Sequence, residues 1–207
     1  MMTSMTDQQL IEMAQSGDLT AFNRLVVTHQ TSVYNVALRI MGDPAAAEDA
    51  AQEAFISAYR KLAGFRGGSF RAWLMRIVTN ACYDELRRYK RRPQTPLEEL
   101  NPLDEPGEVD SAGMLAAGDE GPEAAVDRAE LSRALQDCLD RLPFEFRMVA
   151  VLVDVQGFDY REAAEAIDKP LGTVKSRLAR ARSRMQECLQ GYGELLPLEM
   201  RLEGERT

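Results

Sequence analysis

Histidine and tryptophan each occur once in this 207-residue chain, as His29 and Trp73, and cysteine occurs three times. A single histidine, with no carboxylate cluster and no glycine-rich phosphate loop around it, excludes the usual constellations for acid–base and phosphoryl-transfer catalysis. No catalytic residue and no small-molecule substrate are therefore expected. Cys82, Cys138 and Cys188 lie far apart and form no C-x-x-C pair. That spacing reads as reduced, buried thiols rather than a disulfide framework or a zinc site, so neither metal nor cofactor is expected. Long apolar runs are also missing. The longest, Met148 to Val153, is far too short to span a bilayer, and the N-terminus lacks a basic-then-apolar signal pattern. Direct membrane insertion is not expected, and the cytoplasm is the default location. Nor is there the period-two alternation of half-buried strands, while apolar residues three and four apart recur, as in Leu10, Met13 and Ala14 or Phe55, Ile56 and Tyr59. The fold class is all-α.

What the chain does have is unevenly placed charge. The formal net charge is −8, but residues 1–92 sum to +3, residues 93–121 to −8 and residues 122–207 to −3. The central stretch holds eight acids, no Lys or Arg, and Pro93, Pro96, Pro102 and Pro106. It has too little apolar surface to fold alone, so it reads as an acidic flexible linker between two small helical domains. In the first domain, Gly42-Asp43-Pro44 ends one helix and starts the next, and Phe65 to Ser69 (FRGGS) is a loop. In the second, Pro143 breaks one helix, Gly157 closes FEFRMVAVLVDVQ, and Asp159 with Glu162 makes a capping box.

Against the acidic total, KPLGTVKSRLARARSR (169–184) carries six Lys or Arg and no acid. A helix from about Thr173 puts Val174, Leu178, Ala181 and Met185 on one side. Ser176, Ala179, Arg180 and Ser183 then face outward, flanked by Lys175 and Arg182 on one side and Arg177 and Arg184 on the other. Small residues on the outer face allow close approach to base edges, and the flanking cations reach phosphates. With the preceding short helix, this reads as a helix-turn-helix for duplex DNA. In the first domain, 7 of the 14 aromatic residues fall between Phe55 and Tyr89. Helical spacing there puts Arg76, Asn80, Tyr83 and Arg87 in a stripe opposite the core face of Phe70, Leu74, Ile77 and Val78. Cation, amide and ring together suit single-stranded nucleic acid.

GDLTAFNRLVVTHQTSVYNVALRIMGDPAAAEDAAQEAF, FRGGSFRAWLMRIVTNACYDELRR and LDRLPFEFRMVAVLVDVQGFDYREAAEAIDKPLGTVKSRLARAR together resemble the extracytoplasmic-function sigma factors of bacterial RNA polymerase. The resemblance implies region two over 1–92, a linker over 93–121, region four over 122–190 and a C-terminal tail over 191–207. It implies core RNA polymerase and promoter DNA as partners, with an anti-sigma factor as a further one. By position, Asp49, Gln52, Glu53 and Ile56 fall on the polymerase-clamp helix. Phe65, Arg66, Gly67, Gly68, Ser69 and Trp73, with Asn80 beside them and the stripe Arg76, Tyr83 and Arg87, match the capture of the melted minus-ten strand. Thr173, Lys175, Ser176, Arg177, Ala179, Arg180, Arg182 and Arg184 match the helix that reads the minus-thirty-five duplex. Two departures stand out: Asp168 occupies a turn position where relatives often have glycine, and Ala179 is smaller than its counterpart in some relatives. A helix-turn-helix repressor or activator acting without polymerase is the competing reading, but no heptad seam or ligand domain supplies the dimer it needs. The acidic linker is expected to tether the domains and to compete with phosphate for the basic helix.

Overall fold

The computed structural model describes residues 5–91 and 122–193, so the acidic linker and most of the tail lie outside the described residues. Eight α-helices are ordered α1 (Asp7–Gln15), α2 (Leu19–Met41), α3 (Pro44–Lys61), α4 (Phe70–Arg91), α5 (Pro122–Asp140), α6 (Phe144–Ala150), α7 (Tyr160–Ile167) and α8 (Leu171–Gln190). Among the described residues there is no strand.

The helix boundaries follow from local chemistry. Thr6 and Gln9 form a capping box on α1, and the Asp18 and Asp43 side chains accept from the first free amides of α2 and α3. Each cap satisfies N–H groups that have no partner within their helix. Gly42 ends α2 in the left-handed conformation, and Pro44 opens α3 where a missing amide costs nothing. Asp159 and Glu162 make the expected box on α7, and Asp168 ends that helix at φ 53°. Aspartate tolerates this conformation, so the turn into α8 forms without glycine.

In the first unit, Leu25, Val33, Val36 and Ile40 of α2 meet Leu74, Met75 and Val78 of α4, all at most 1% exposed. Between them α3 buries Ala47, Ala50, Ala51, Ala54 and Ala58, small side chains that let three backbones approach closely. The second unit closes over Val149, Val151, Leu152, Val174, Leu178 and Ala181. Here the run expected to be one regular helix widens after Ala150 into a π-helical turn, Val151–Val155, in which the Gln156 N–H donates to Val151 O at 3.0 Å.

Two features differ from the sequence expectations. First, Cys138 and Cys188 are joined as a disulfide, whereas only Cys82 is the buried free thiol expected of all three. Their separation of 50 residues hid the pairing, because α5 and α8 become neighbours only once the second unit has folded. Second, the units are packed together rather than merely tethered. Arg147, its side chain only 11% exposed, donates to Ile40 O at 2.6 Å and to Asp140 Oδ1 at 2.8 Å. Arg39 donates to Gln136 Oε1 at 3.1 Å. Arg71 donates to Gln156 O at 2.6 Å while its guanidinium stacks 4.2 Å from the Phe158 ring centre. Burial lowers the Arg147 pKa and raises that of Asp140, and each charge partly offsets the shift of the other. Both shifts disfavour the charged forms, so this pair holds the units through geometry and hydrogen bonds more than through net Coulomb gain.

Candidate nucleic-acid interface

Three surfaces carry the residues singled out in the sequence. The first begins at the loop between α3 and α4. The Gln15 side chain donates to Leu62 O at 2.9 Å and to Phe65 O at 2.8 Å, fixing the start of the loop to α1. Gly67 and Gly68 stand at φ 104° and 92°, where other residues are strained, although a Cβ on either would meet nothing within 4 Å. Glycine is therefore required for the backbone path and leaves the loop bare. Ser69 Oγ then accepts from Ala72 N at 3.2 Å and caps α4. Beneath the loop, Phe65, Phe70 and Trp73 pack with ring centres 5.2–5.7 Å apart. Phe70 also meets the imidazole of His29, whose Nε2 lies 2.8 Å from Asp7 Oδ2. The sole histidine is thus a structural residue beneath the loop.

A cleft of about 230 Å³ lies over this cluster, lined by Gly64 to Ser69, Trp73, Arg76 and Glu165. Arg76 Nη2 donates to Asp168 Oδ2 at 2.9 Å. The mouth of the cleft is therefore held by two acids, one on α7 and one at its end, which sequence reading did not connect with it. Asn80 lies one turn beyond Arg76 on the exposed face of α4, outside the lining of the cleft. Tyr83 and Arg87 continue that face, with the guanidinium 5.5 Å from the Tyr83 ring centre. The other contact of Tyr83 is Phe144 of the second unit, at 5.1 Å between ring centres.

The second surface is α8. Val174, Leu178 and Ala181 are buried as the spacing requires, while Lys175, Ser176, Ala179, Arg180, Arg182, Ser183 and Arg184 are exposed. Thr173 and Arg177 are half-buried. The cations are not equivalent. Arg177 pairs with Glu145, and Arg182 holds Asp154 with two hydrogen bonds, at 2.6 and 3.2 Å, which raise its pKa further. Arg184 lies 5.2 Å from the Phe146 ring centre and Lys175 Nζ 6.0 Å from that of Tyr160. Arg180 has no ion-pair or ring partner among the described residues. Internal pairs steer the flanking side chains, whereas Arg180 projects without one.

On the third surface, Asp49, Gln52, Glu53 and Ile56 of α3 are all exposed on one helical face. Ile56 is 39% exposed and Tyr59, one turn along, 45%. Apolar groups flanked by unpaired acids and an amide suit a protein partner better than nucleic acid. Among the described residues, no group of acids, cysteines and histidine could hold a metal ion, and no helix is long and apolar enough to cross a membrane.

Residues 25–92 match Sigma-70 region 2 and residues 132–185 match Sigma-70 region 4. The chain is 37% identical over 191 residues to the RNA polymerase sigma-H factor of Pseudomonas aeruginosa, covering 92% of this chain and 97% of that one. It is 38% identical over 193 residues to the ECF RNA polymerase sigma-E factor of Escherichia coli, covering 92% and 97%. Among solved structures it resembles CnrH in complex with the cytosolic domain of CnrY, with TM-score 0.63 and 26% identity over 89% of this chain and 97% of that one. The sigma factor RpoE of Bartonella quintana, solved with the anti-sigma factor NepR, gives TM-score 0.61 and 25% identity over 83% and 98%. Sigma factors are non-catalytic DNA-binding regulators, and the matched regions follow the order of the two helical units. The chain belongs to the ECF sigma factors of RNA polymerase and serves as an alternative sigma factor that directs transcription initiation.

Proposed function

We propose that promoter recognition is divided between the two exposed stripes. The second unit, within 122–190, reads the minus-thirty-five duplex through α8. Ser176, Ala179 and Arg180 face base edges, while Thr173, Lys175, Arg177, Arg182 and Arg184 border them and serve phosphates. The first unit, within 1–92, receives the melted minus-ten strand along Arg76, Asn80, Tyr83 and Arg87. A flipped base enters the cleft of Phe65 to Ser69 over Trp73. Asp49, Gln52, Glu53 and Ile56 dock on the core polymerase clamp, and 93–121 spans the units. The protein acts in the cytoplasm and is not itself an enzyme. Because CnrH and RpoE were solved with protein partners, an anti-sigma factor belongs among the expected partners of this chain.

The observation that carries this reading is the difference among the α8 cations, with Arg180 alone lacking a partner among the described residues and facing outward. A base-directed arginine has to be free to form its bidentate contact. Purified protein should be combined with core RNA polymerase and a randomised promoter library, and the transcribed templates sequenced. Two separated sequence elements should emerge, and no transcripts should form without the protein. Tight duplex binding without polymerase, with no transcripts in its presence, would favour the stand-alone regulator.

A further inference from the structure

We infer that Cys138 and Cys188 form a reversible thiol–disulfide site that sets how firmly the duplex-reading helix is anchored in the second unit. The two Cα atoms are 5.7 Å apart, within the range a disulfide spans without backbone movement. Cys138, on the inner face of α5, is 1% exposed, and Cys188, in the last turn of α8, is half-buried. Tyr192 Oη donates to Asp137 Oδ2 at 3.1 Å beside them, so the end of α8 is held to α5 without the bond and the sulfurs stay close when reduced. A proximity that does not depend on the bond is what a site that closes and reopens requires.

The two sulfurs have unequal access, which divides the chemistry between them. The Cys188 thiolate reaches solvent and attacks a peroxide oxygen, displacing hydroxide and becoming a sulfenic acid. The Cys138 sulfur then attacks the Cys188 sulfur, and the sulfenic oxygen leaves as water. In sum, two thiols and one hydrogen peroxide give one disulfide and two waters, with the two electrons reducing the O–O bond. A dithiol reductant reverses the step through a mixed disulfide and is itself oxidised. Cys82 serves as an internal control: it is buried in the first unit, and burial pushes its thiol pKa up to about 12.

Position gives the bond its consequence. α8 carries Arg180 nearer its start, while α5 touches α2 through Gln136 and Arg39. Closing the bond ties the base of the recognition helix to the helix that meets the first unit. That the anchored helix reads DNA, and that the surroundings are reducing enough to reopen the bond, rest on the function proposed above. The chemistry of the pair does not, and it is read without DNA or polymerase.

The test uses the full chain, reduced with dithiothreitol, desalted, and exposed to hydrogen peroxide before alkylation and trypsin digestion. Peptides 134–141 and 185–201 should appear joined, two hydrogens lighter than their separate thiol forms, while Cys82 stays alkylated. The number of reactive thiols in denaturant should fall from three to one, and return to three after native treatment with dithiothreitol. Oxidation should raise the unfolding midpoint by roughly 5–10 °C and slow amide exchange in 185–190 about tenfold. C188S should abolish both changes, and because that side chain is half-buried it should fold even if C138S does not. Three thiols persisting after peroxide, or a joined peptide containing Cys82, would overturn the site. A bond that resists native dithiothreitol would make it a permanent staple, and so would overturn its reversibility.

Discussion

The two nucleic-acid surfaces use the same chemistry, arginine paired with carboxylate, to opposite effect. On α8 the partners Glu145 and Asp154 belong to the same unit, so the pairs travel with the helix and orient Arg177 and Arg182 whether or not the units touch. On α4 the partner of Arg76 is Asp168, beyond the linker and at the end of α7. That pair exists only while the units are packed, and with Glu165 it closes the cleft over the aromatic cluster. A pair inside one unit sets geometry, whereas a pair between units sets access. In the free chain, the surface for duplex DNA is presented and the surface for melted DNA is capped. This is also the order in which an initiating complex needs them.

The largest expected effect comes from cutting the contact between units at its most buried point. Arg147→Ala leaves Ile40 O, Asp140 and the carbonyl of Asp140 without their donor. The loss should be about 2–4 kcal/mol, toward the lower end because Asp140 is partly exposed, and urea unfolding of the full chain measures it. A change below experimental error would mean that the units do not depend on each other for stability.

Arg180→Ala tests the surface presented by the free chain. It should reduce transcription from the cognate promoter roughly tenfold to a hundredfold and relax preference at one base pair, as expected for a base-directed arginine. Core binding, followed by polymerase pull-down, should be unchanged. Arg182→Ala, by contrast, should chiefly alter the salt dependence. Equal behaviour of the two variants would erase the distinction drawn between paired and free cations.

Asn80→Ala tests the capped surface after it opens. Closed complexes should form normally, while permanganate reactivity of unpaired thymines should drop about tenfold, consistent with loss of a contact made only to an unstacked base. Normal reactivity would remove Asn80 from the single-strand path and leave that path to the cleft alone.

The smallest effect is the most specific to the comparison. Asp168→Asn keeps a residue that tolerates the left-handed backbone yet removes the charge that holds Arg76. Because the pair is exposed, the gain is at most about 1 kcal/mol. Binding of a fluorescent single-stranded minus-ten oligonucleotide to the free chain should tighten two- to fivefold. Unchanged binding would show that the contact between units does not govern access.

Much of this was readable from the sequence because helices are local. The Asp159–Glu162 box, the Gly42 and Pro44 boundaries and the buried face of Val174, Leu178 and Ala181 all follow from residues a turn or two apart. So do the exposed positions of Asp49, Gln52, Glu53 and Ile56. What stayed hidden lies between elements. Asp168 was legible as a turn residue but not as the partner of Arg76, 92 positions away. Cys138 and Cys188 read as separate thiols for the same reason. Arg147 carried a usable signal: a charge inside FEFRMVAVLV must find buried acceptors, and only their identity required the fold. The acidic linker, expected to screen the basic helix, lies outside the described residues. The acids at the mouth of the cleft come instead from α7 and its end.

The wide turn at Val151–Val155 acts as a phase adjuster. With hydrogen bonds reaching back five residues, it absorbs about one more residue than a regular helix of the same length. The residues before it keep Met148 and Val149 aimed inward, and those after it point Asp154 toward Arg182 and the carbonyl of Gln156 toward Arg71. Deleting one residue here would restore regular helical winding and rotate everything downstream by about 100°. The short helix pair and its arginines would then be out of register with the first unit, although every side chain that makes the contacts would still be present.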